Sequence, residues 1–187
     1  MRPFVFAVVL AAAGACASTQ NREMPAGDPL ARVAARELYQ QAVGFAQTGD
    51  LVRAEQYFVA SLERGMDERV VMPTLIRTCV SASRFRAAVG YATHYLERHP
   101  EDVPLRFLTG TILAGLGENQ SARRSFEDVI RRSERHAGAH YNLATLLRDG
   151  YNDPRGADEH FRQYLAIEPT GAHAEEARAG LMNTVTP

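Results

Sequence analysis

The chain repeats itself with a period of 34 residues, and no other feature limits its possible folds so strongly. Three positions recur without a gap in successive segments: small residues at Ala54, Ala88 and Ala122, apolar residues at Leu62, Leu96 and Ile130, and further apolar residues at Phe45, Cys79 and Leu113. A period of roughly 20–50 residues is typical of solenoids and other repeat architectures. The sequence therefore predicts stacked units that bury their apolar faces against one another.

The candidate turns follow the same period. They fall at Gly49-Asp50, Ser83-Arg84 and Gly117-Glu118. A fourth segment follows, with one extra residue in an enlarged turn over 149–156. Its matching positions are Ala144, Leu147, Ala157, Phe161 and Leu165. We therefore expect four units, of which the last deviates at its turn.

Within a unit, the apolar spacing is helical. Ala54, Phe58, Ser61 and Leu62 are spaced i, i+4, i+7 and i+8, which places them on one stripe of a helix. Small residues at helix crossings let two backbones approach closely. Because one hairpin cannot bury both of its stripes, the last unit needs a cap, and 171–182 is predicted to supply it.

These features resemble the tetratricopeptide repeat (TPR). The best-matching stretches are GDLVRAEQYF at 49–58 and YNLA at 141–144, and Pro100 and Pro169 close the second and fourth units. The resemblance implies an all-α fold, a right-handed α-solenoid of about four hairpins plus a C-terminal capping helix. The expected units are 35–68, 69–102, 103–136 and 137–170. Ile76 departs from the pattern, because a smaller residue is usual at the eighth position of a unit.

The N-terminal segment predicts export. Residues 1–15 contain one charged side chain, Arg2, and a short apolar run, as in a signal peptide. Cys16 follows small residues in a pattern that resembles a bacterial lipobox, which implies lipidation of Cys16 and a lipid-anchored protein at the outer membrane, facing the periplasm. Ala13, where Leu is favoured, leaves ordinary signal cleavage and a soluble periplasmic protein open. Residues 16–34 read as a flexible tether.

No catalytic constellation emerges from the sequence. All 21 basic residues are Arg, so lysine chemistry is excluded, and the net charge of -1 gives no basic footprint for nucleic acid. His136 and His140 could present two metal ligands, but no third ligand lies at a helpful spacing. Cys79 falls at a core position, where a thiol behaves as a small apolar group. We therefore predict a protein that is not an enzyme and has no cofactor, metal or catalytic residue.

A partner-binding groove is predicted on the first helices of the units. The candidate residues are Arg36, Tyr39, Val43, Arg77, Phe107, Thr111, Tyr141, Thr145 and Arg148. Aromatic and arginine side chains are enriched at protein interfaces. The same aromatics could instead pack between repeats, since both uses bury apolar area.

The expected partner is a protein or peptide held in this concave groove, together with a membrane reached through the lipid anchor. The TPR lipoprotein resemblance extends to the pilotins of type IV pili. It implies a scaffold that assembles a pilus, motility or outer-membrane complex. A regulator of a periplasmic cell-wall enzyme is the alternative, because a fold alone does not determine a function.

Overall fold

The computed structural model describes residues 29–182, and over this range it is entirely helical. The predicted signal segment 1–15 and Cys16 lie outside the described residues, as does the tail 183–187. The nine helices of the described range are α1 Pro29–Gln47, α2 Leu51–Glu63, α3 Glu68–Ser81, α4 Phe85–Arg98, α5 Val103–Gly115, α6 Asn119–Arg132, α7 Ala137–Tyr151, α8 Pro154–Ile167 and α9 Ala174–Ala179.

The helices form a solenoid of hairpins. Each helix packs mainly on its neighbours along the chain, as expected when every unit contacts only the next. We call α1, α3, α5 and α7 the A helices, and α2, α4, α6 and α8 the B helices. The buried residues form a column that runs from Ala42 in α1 to Ala177 in α9. The predicted fold class is confirmed.

The start of α1 corrects one prediction. The segment 16–34 was expected to be a tether throughout, yet α1 begins at Pro29. Proline is well tolerated in the first helical turn, where its missing N–H would have no intrahelical partner. Pro29 therefore marks the start of a helix here.

The turns inside the first three units share one backbone geometry. Gly49, Ser83 and Gly117 all have positive φ, at 83°, 56° and 75°. In each turn the next N–H donates to a carbonyl five residues back, as from Asp50 N to Phe45 O at 2.9 Å. Glycine adopts this left-handed conformation at little cost, whereas Ser83 carries a Cβ there and is strained.

The extra residue of the fourth unit lies at the end of helix α7. Only Asn152 and Asp153 separate α7 from α8, so the turn is shorter than the enlarged loop expected over 149–156. Asn152 takes the left-handed conformation, and Asp153 N donates to Leu147 O, six residues back. Asp153 then caps α8 by accepting from Gly156 N at 3.0 Å. The extra residue is therefore accommodated by a longer α7 and by a closing hydrogen bond that spans six residues, where the other turns have one that spans five.

The second unit is packed differently from the other three. Ile76 occupies the position held elsewhere by Ala42, Gly110 and Ala144, and it is fully buried. The B helix compensates, because Ala92 stands where the other units have Phe58, Phe126 and Phe161. A Cβ added at Gly110 would lie 2.9 Å from the ring of Phe126, so these two positions touch. In the second unit the larger of the two side chains is therefore on the A helix, whereas in the other three units it is on the B helix.

The capping helix is shorter than predicted. Helix α9 spans six residues, whereas 171–182 was expected to form the cap. It packs on α8 and buries Ala174 and Ala177 against the last part of the core. Gly171, Thr170 and Pro169 form a turn before it, held by the bond from Gly171 N to Glu168 O. The cap therefore covers the core mainly with small side chains.

Candidate peptide-binding groove

The three aromatic residues of the predicted groove pack into the core of their own units. The ring of Tyr39 lies 5.6 Å from that of Phe58, and the ring of Phe107 lies 6.0 Å from that of Phe126. Tyr141 repeats the arrangement at 6.1 Å from Phe161. All three rings are half-buried, and their contacts are those of tilted aromatic pairs. The packing role that the sequence left open is thus present in the structure.

The end of the groove at the fourth unit is covered by the cap. His173 stacks on Tyr141 with ring centroids 4.0 Å apart. Glu176 accepts hydrogen bonds from the Tyr141 hydroxyl and from Arg148 Nη2. Arg148 also binds Asp149 through two hydrogen bonds, of 2.7 and 3.0 Å. Two of the predicted groove residues therefore bind the chain's own C-terminal helix.

These contacts shift the ionisation of the groups involved. The hydrogen bond from Tyr141, followed by that from Arg148, lowers the pKa of Glu176. Burial, and then the bond to Glu176, raises the pKa of Tyr141. The bonds to Asp149 and Glu176 raise the pKa of Arg148. The cluster is therefore a charge-assisted network that holds α9 on α7 at neutral pH.

An open recess of about 360 Å³ lies between α5 and α7. Its polar lining comes from Thr111, Asn119, Asn142, Thr145 and Asp149. Asn142 Nδ2 donates to Thr111 Oγ1 at 3.2 Å, which links the two helices across the recess. The structure thus brings the predicted residues Thr111 and Thr145 together. We call this cavity the α5–α7 recess.

A second recess, of about 300 Å³, lies between α3 and α5. Its lining is mostly apolar and comes from Pro73, Pro104, Leu105 and Leu108, with Arg77 and Asp102 as the charged members. Asp102 Oδ1 accepts from Leu105 N at 3.0 Å and so caps α5. We call this cavity the α3–α5 recess.

The remaining predicted groove residues lie on α1. Arg36 is exposed, and Val43 is half-buried against the first part of the core. Together with Tyr39 they extend the A-helix surface beyond α3. Sequence reasoning missed Asn142, Leu108 and Glu176. The first two directly follow Tyr141 and Phe107 but are rotated by about 100° around their helices, so they lie off the row that helical spacing selects. Only tertiary packing brings Glu176 to the groove.

A buried polar cluster joins the first two units. Glu55 is 6 % exposed, and its Oε2 lies 2.6 Å from Arg84 Nη1. Tyr91 donates to Glu55 Oε1 at 3.2 Å. Cys79 is fully buried beside this carboxylate, and burial followed by the Glu55 charge raises the pKa of its thiol to about 11. At neutral pH the thiol is therefore protonated and a poor nucleophile.

Histidine side chains meet at the α6–α7 turn, where a metal site had been considered. His136 Nδ1 accepts from Ala139 N and caps α7. His140 is buried, with Nε2 bonded to Glu134 O and Nδ1 lying 3.1 Å from His160 Nδ1. Burial, with the neighbouring His140, lowers the pKa of His160. Among residues 34–182 no group of three or more His, Cys, Asp or Glu side chains is arranged to hold a metal.

No family model matches the sequence, and no curated protein matches it. Solved structures do match. YrrB, a TPR protein with an unusual peptide-binding site, is 23 % identical, with a TM-score of 0.68 over 78 % of this chain and 75 % of YrrB. The chain has the TPR fold.

Two further solved structures are similar to this chain over most of its length. A tetratricopeptide repeat protein from Parabacteroides merdae has a TM-score of 0.72 at 18 % identity, over 79 % of this chain and 59 % of that longer chain. MamA from Desulfovibrio magneticus has a TM-score of 0.63 at 17 % identity, over 74 % of this chain and 77 % of MamA. Among residues 29–182, none of the helices combines the length and the hydropathy of a membrane-spanning segment.

Proposed function

We propose that this protein is a non-enzymatic scaffold whose A helices bind an extended segment of a partner protein. The observation that carries the proposal is the succession of two recesses along the A-helix surface, one mostly apolar and one lined by amide and hydroxyl groups. Apolar recesses take side chains, and convergent amide and hydroxyl groups can hydrogen-bond to an extended main chain.

The polar recess supplies suitable groups for a peptide main chain. The Asn142 amide has a second N–H and a carbonyl oxygen beyond its bond to Thr111. Thr111 is exposed, and its hydroxyl donates to Phe107 O at 3.0 Å. The peptide-binding site of YrrB, a protein of the same fold, gives the proposal a precedent.

We further propose that the scaffold works in the bacterial envelope. The lipobox-like pattern at Cys16 supports a lipid anchor at the outer membrane, with the solenoid facing the periplasm. A tethered solenoid with a peptide-binding surface suits the assembly of a pilus, a motility apparatus or an outer-membrane complex. The matched test is Cys16→Ser. We expect this variant to lose its membrane fractionation while the wild type keeps it, and equal fractionation of the two would contradict lipidation.

The groove can be tested in the native envelope by site-specific photo-crosslinking. The photoreactive amino acid benzoylphenylalanine would replace Thr111 in the α5–α7 recess, and Gln163 on the exposed face of α8 as the control. We expect residue 111 to give an adduct that maps to one short segment of one partner. Equal adducts from both positions would contradict a groove.

A second substitution tests the recess itself. Asn142→Arg fills the α5–α7 recess with a larger, charged side chain, and it should abolish the adduct at residue 111 while circular dichroism stays unchanged. The tyrosines and Phe107 are poor targets for this purpose, because their rings pack in the core and their removal would destabilise the fold.

A further inference from the structure

The aromatic row of the A helices is interrupted at the second unit. Tyr39, Phe107 and Tyr141 hold one position of their units, and Pro73 holds the same position in α3. In the other three units the aromatic ring packs on a phenylalanine of the B helix, which Ala92 replaces in the second unit. Pro73 lines the α3–α5 recess, so this recess opens where an aromatic ring is missing.

Arg77 lies in the same recess and has almost no partner. It is exposed, and within the described residues its guanidinium makes one long hydrogen bond, of 3.4 Å from Nη2 to Thr74 Oγ1, and no ion pair. Arg148, at the other end of the groove, is bound to both Asp149 and Glu176. Of these two arginines, only Arg77 keeps most of its five N–H donors without a partner among the described residues.

Resting on the proposed function, we propose that the α3–α5 recess binds a peptide segment in which an apolar residue and an acidic residue lie two positions apart. The apolar side chain, preferably aromatic, fills the gap above Pro73 between Pro104 and Leu108. The carboxylate pairs with Arg77. The recess thereby selects the chemical class of the ligand, and the α5–α7 recess binds the neighbouring main chain.

The spacing follows from helix and strand geometry. Pro73 and Arg77 are four residues apart on α3, which is about 6 Å along a helix axis. In an extended peptide, side chains two residues apart point to the same side and lie about 7 Å apart. Adjacent residues point to opposite sides, so an adjacent apolar–acidic pair cannot place both groups in the recess.

The position of the recess favours an acidic side chain within the ligand over a terminal carboxylate. It lies between the second and third of four units, and the A-helix surface continues on both sides, along α1 and into the α5–α7 recess. A bound segment can therefore run through the recess in both directions. A chain terminus would leave part of this surface uncovered.

The test uses libraries of short, labelled, C-terminally amidated peptides with random flanking residues and the full-length protein in detergent. The first library, called Phe-x-Glu, fixes Phe and Glu two positions apart, in both orders. Three matched control libraries differ from it in one respect each: Gln replaces Glu (Phe-x-Gln), Ala replaces Phe, or Phe and Glu are adjacent. A further library ends in Phe with a free carboxylate. Fluorescence polarisation should show the Phe-x-Glu library binding at least about tenfold more tightly than every other library.

Two variants locate the binding. Arg77→Gln should weaken binding of the Phe-x-Glu library about tenfold and leave that of the Phe-x-Gln library unchanged. Pro73→Phe should restore the aromatic row and abolish binding of both libraries. It should not lower the unfolding temperature, since proline inside a helix is unfavourable. The matched control is Arg155→Gln, an exposed arginine on α8, which should change nothing.

Several outcomes would overturn the proposal: equal binding of the Glu and Gln libraries, no effect of Arg77→Gln, tighter binding of the terminal carboxylate, or no binding of any library. The photo-crosslink at residue 111 separates this failure from that of the proposed function. If Arg77→Gln leaves the native adduct intact and the peptides show no preference for an acidic residue, the proposed groove is supported and the proposed ligand class is contradicted.

Discussion

The second and fourth units solve the same packing problem in opposite ways. The fourth unit combines Ala144 on the A helix with Phe161 on the B helix, and Tyr141 packs on that ring. The second unit combines Ile76 with Ala92, and it has Pro73 at the position of Tyr141. Both arrangements bury their interior residues fully.

The difference bears on the ligand site that we propose. In the fourth unit the aromatic side chain and the arginine of the A helix are used internally, by the core and by α9. In the second unit the aromatic is absent and Arg77 is unpaired among the described residues, so the surface is left open for a ligand. A repeat protein can thus vary its binding surface by exchanging volume between two helices while keeping its stack.

The largest effect is expected from removing the aromatic core of the fourth unit. Phe161→Ala should lower the free energy of unfolding by about 3–5 kcal/mol, because it deletes a fully buried ring. Adding Ala144→Ile reproduces the combination of the second unit and should recover roughly 1–2 kcal/mol by filling part of the cavity. Urea denaturation measures both. A double variant no more stable than Phe161→Ala would contradict the exchange of volume between the two positions.

A smaller effect is expected at the start of the second unit, where Glu68 binds Arg98 and His99. His99 Nε2 lies 2.6 Å from Glu68 Oε1. The bond to Arg98, with that to His99, lowers the pKa of Glu68 from its ordinary value of 4.5 to about 2. Because the folded pKa is the lower one, this stabilisation is present above pH 4.5 and is lost as the pH falls towards 2.

Glu68→Gln should therefore lower the free energy of unfolding by about 1 kcal/mol at pH 7, the size expected for a partly exposed charged network. The difference from the wild type should shrink as the pH is lowered below 4.5. Urea denaturation at pH 7 and near pH 3 measures it. A difference that stays constant over this range would show that Glu68 stabilises the unit by packing and not by charge.

The smallest effect is expected at the turn of the second unit. Ser83→Gly should raise the free energy of unfolding by about 0.5–1 kcal/mol, since Ser83 alone of the three equivalent turn residues carries a Cβ at positive φ. Ala82→Gly is the control. Ala82 has a φ of -81°, so glycine there should destabilise the protein. Thermal unfolding distinguishes the two, and equal shifts would refute the strain at Ser83.

Much of the architecture could be predicted from the sequence because it follows from local rules. The period of 34 residues, the small residues at helix crossings and the turn positions all recur in the chain itself. The start of α1 at Pro29 and the short length of α9 could not be predicted from the sequence. Within residues 29–182, the helices at the two ends of the stack pack mainly on one neighbour each, so the repeat pattern that specifies the interior helices is missing there.

The candidate groove, too, was predictable from the sequence only in part. Helical spacing, which is legible in the sequence, specifies which side chains share the groove face of the A helices. The role of each side chain depends on packing between units: Arg148 is paired with Glu176 of α9, whereas Arg77 forms no ion pair among the described residues. Helical spacing acts within a unit, whereas the recess between α3 and α5 and the cover of α9 arise from contacts between units.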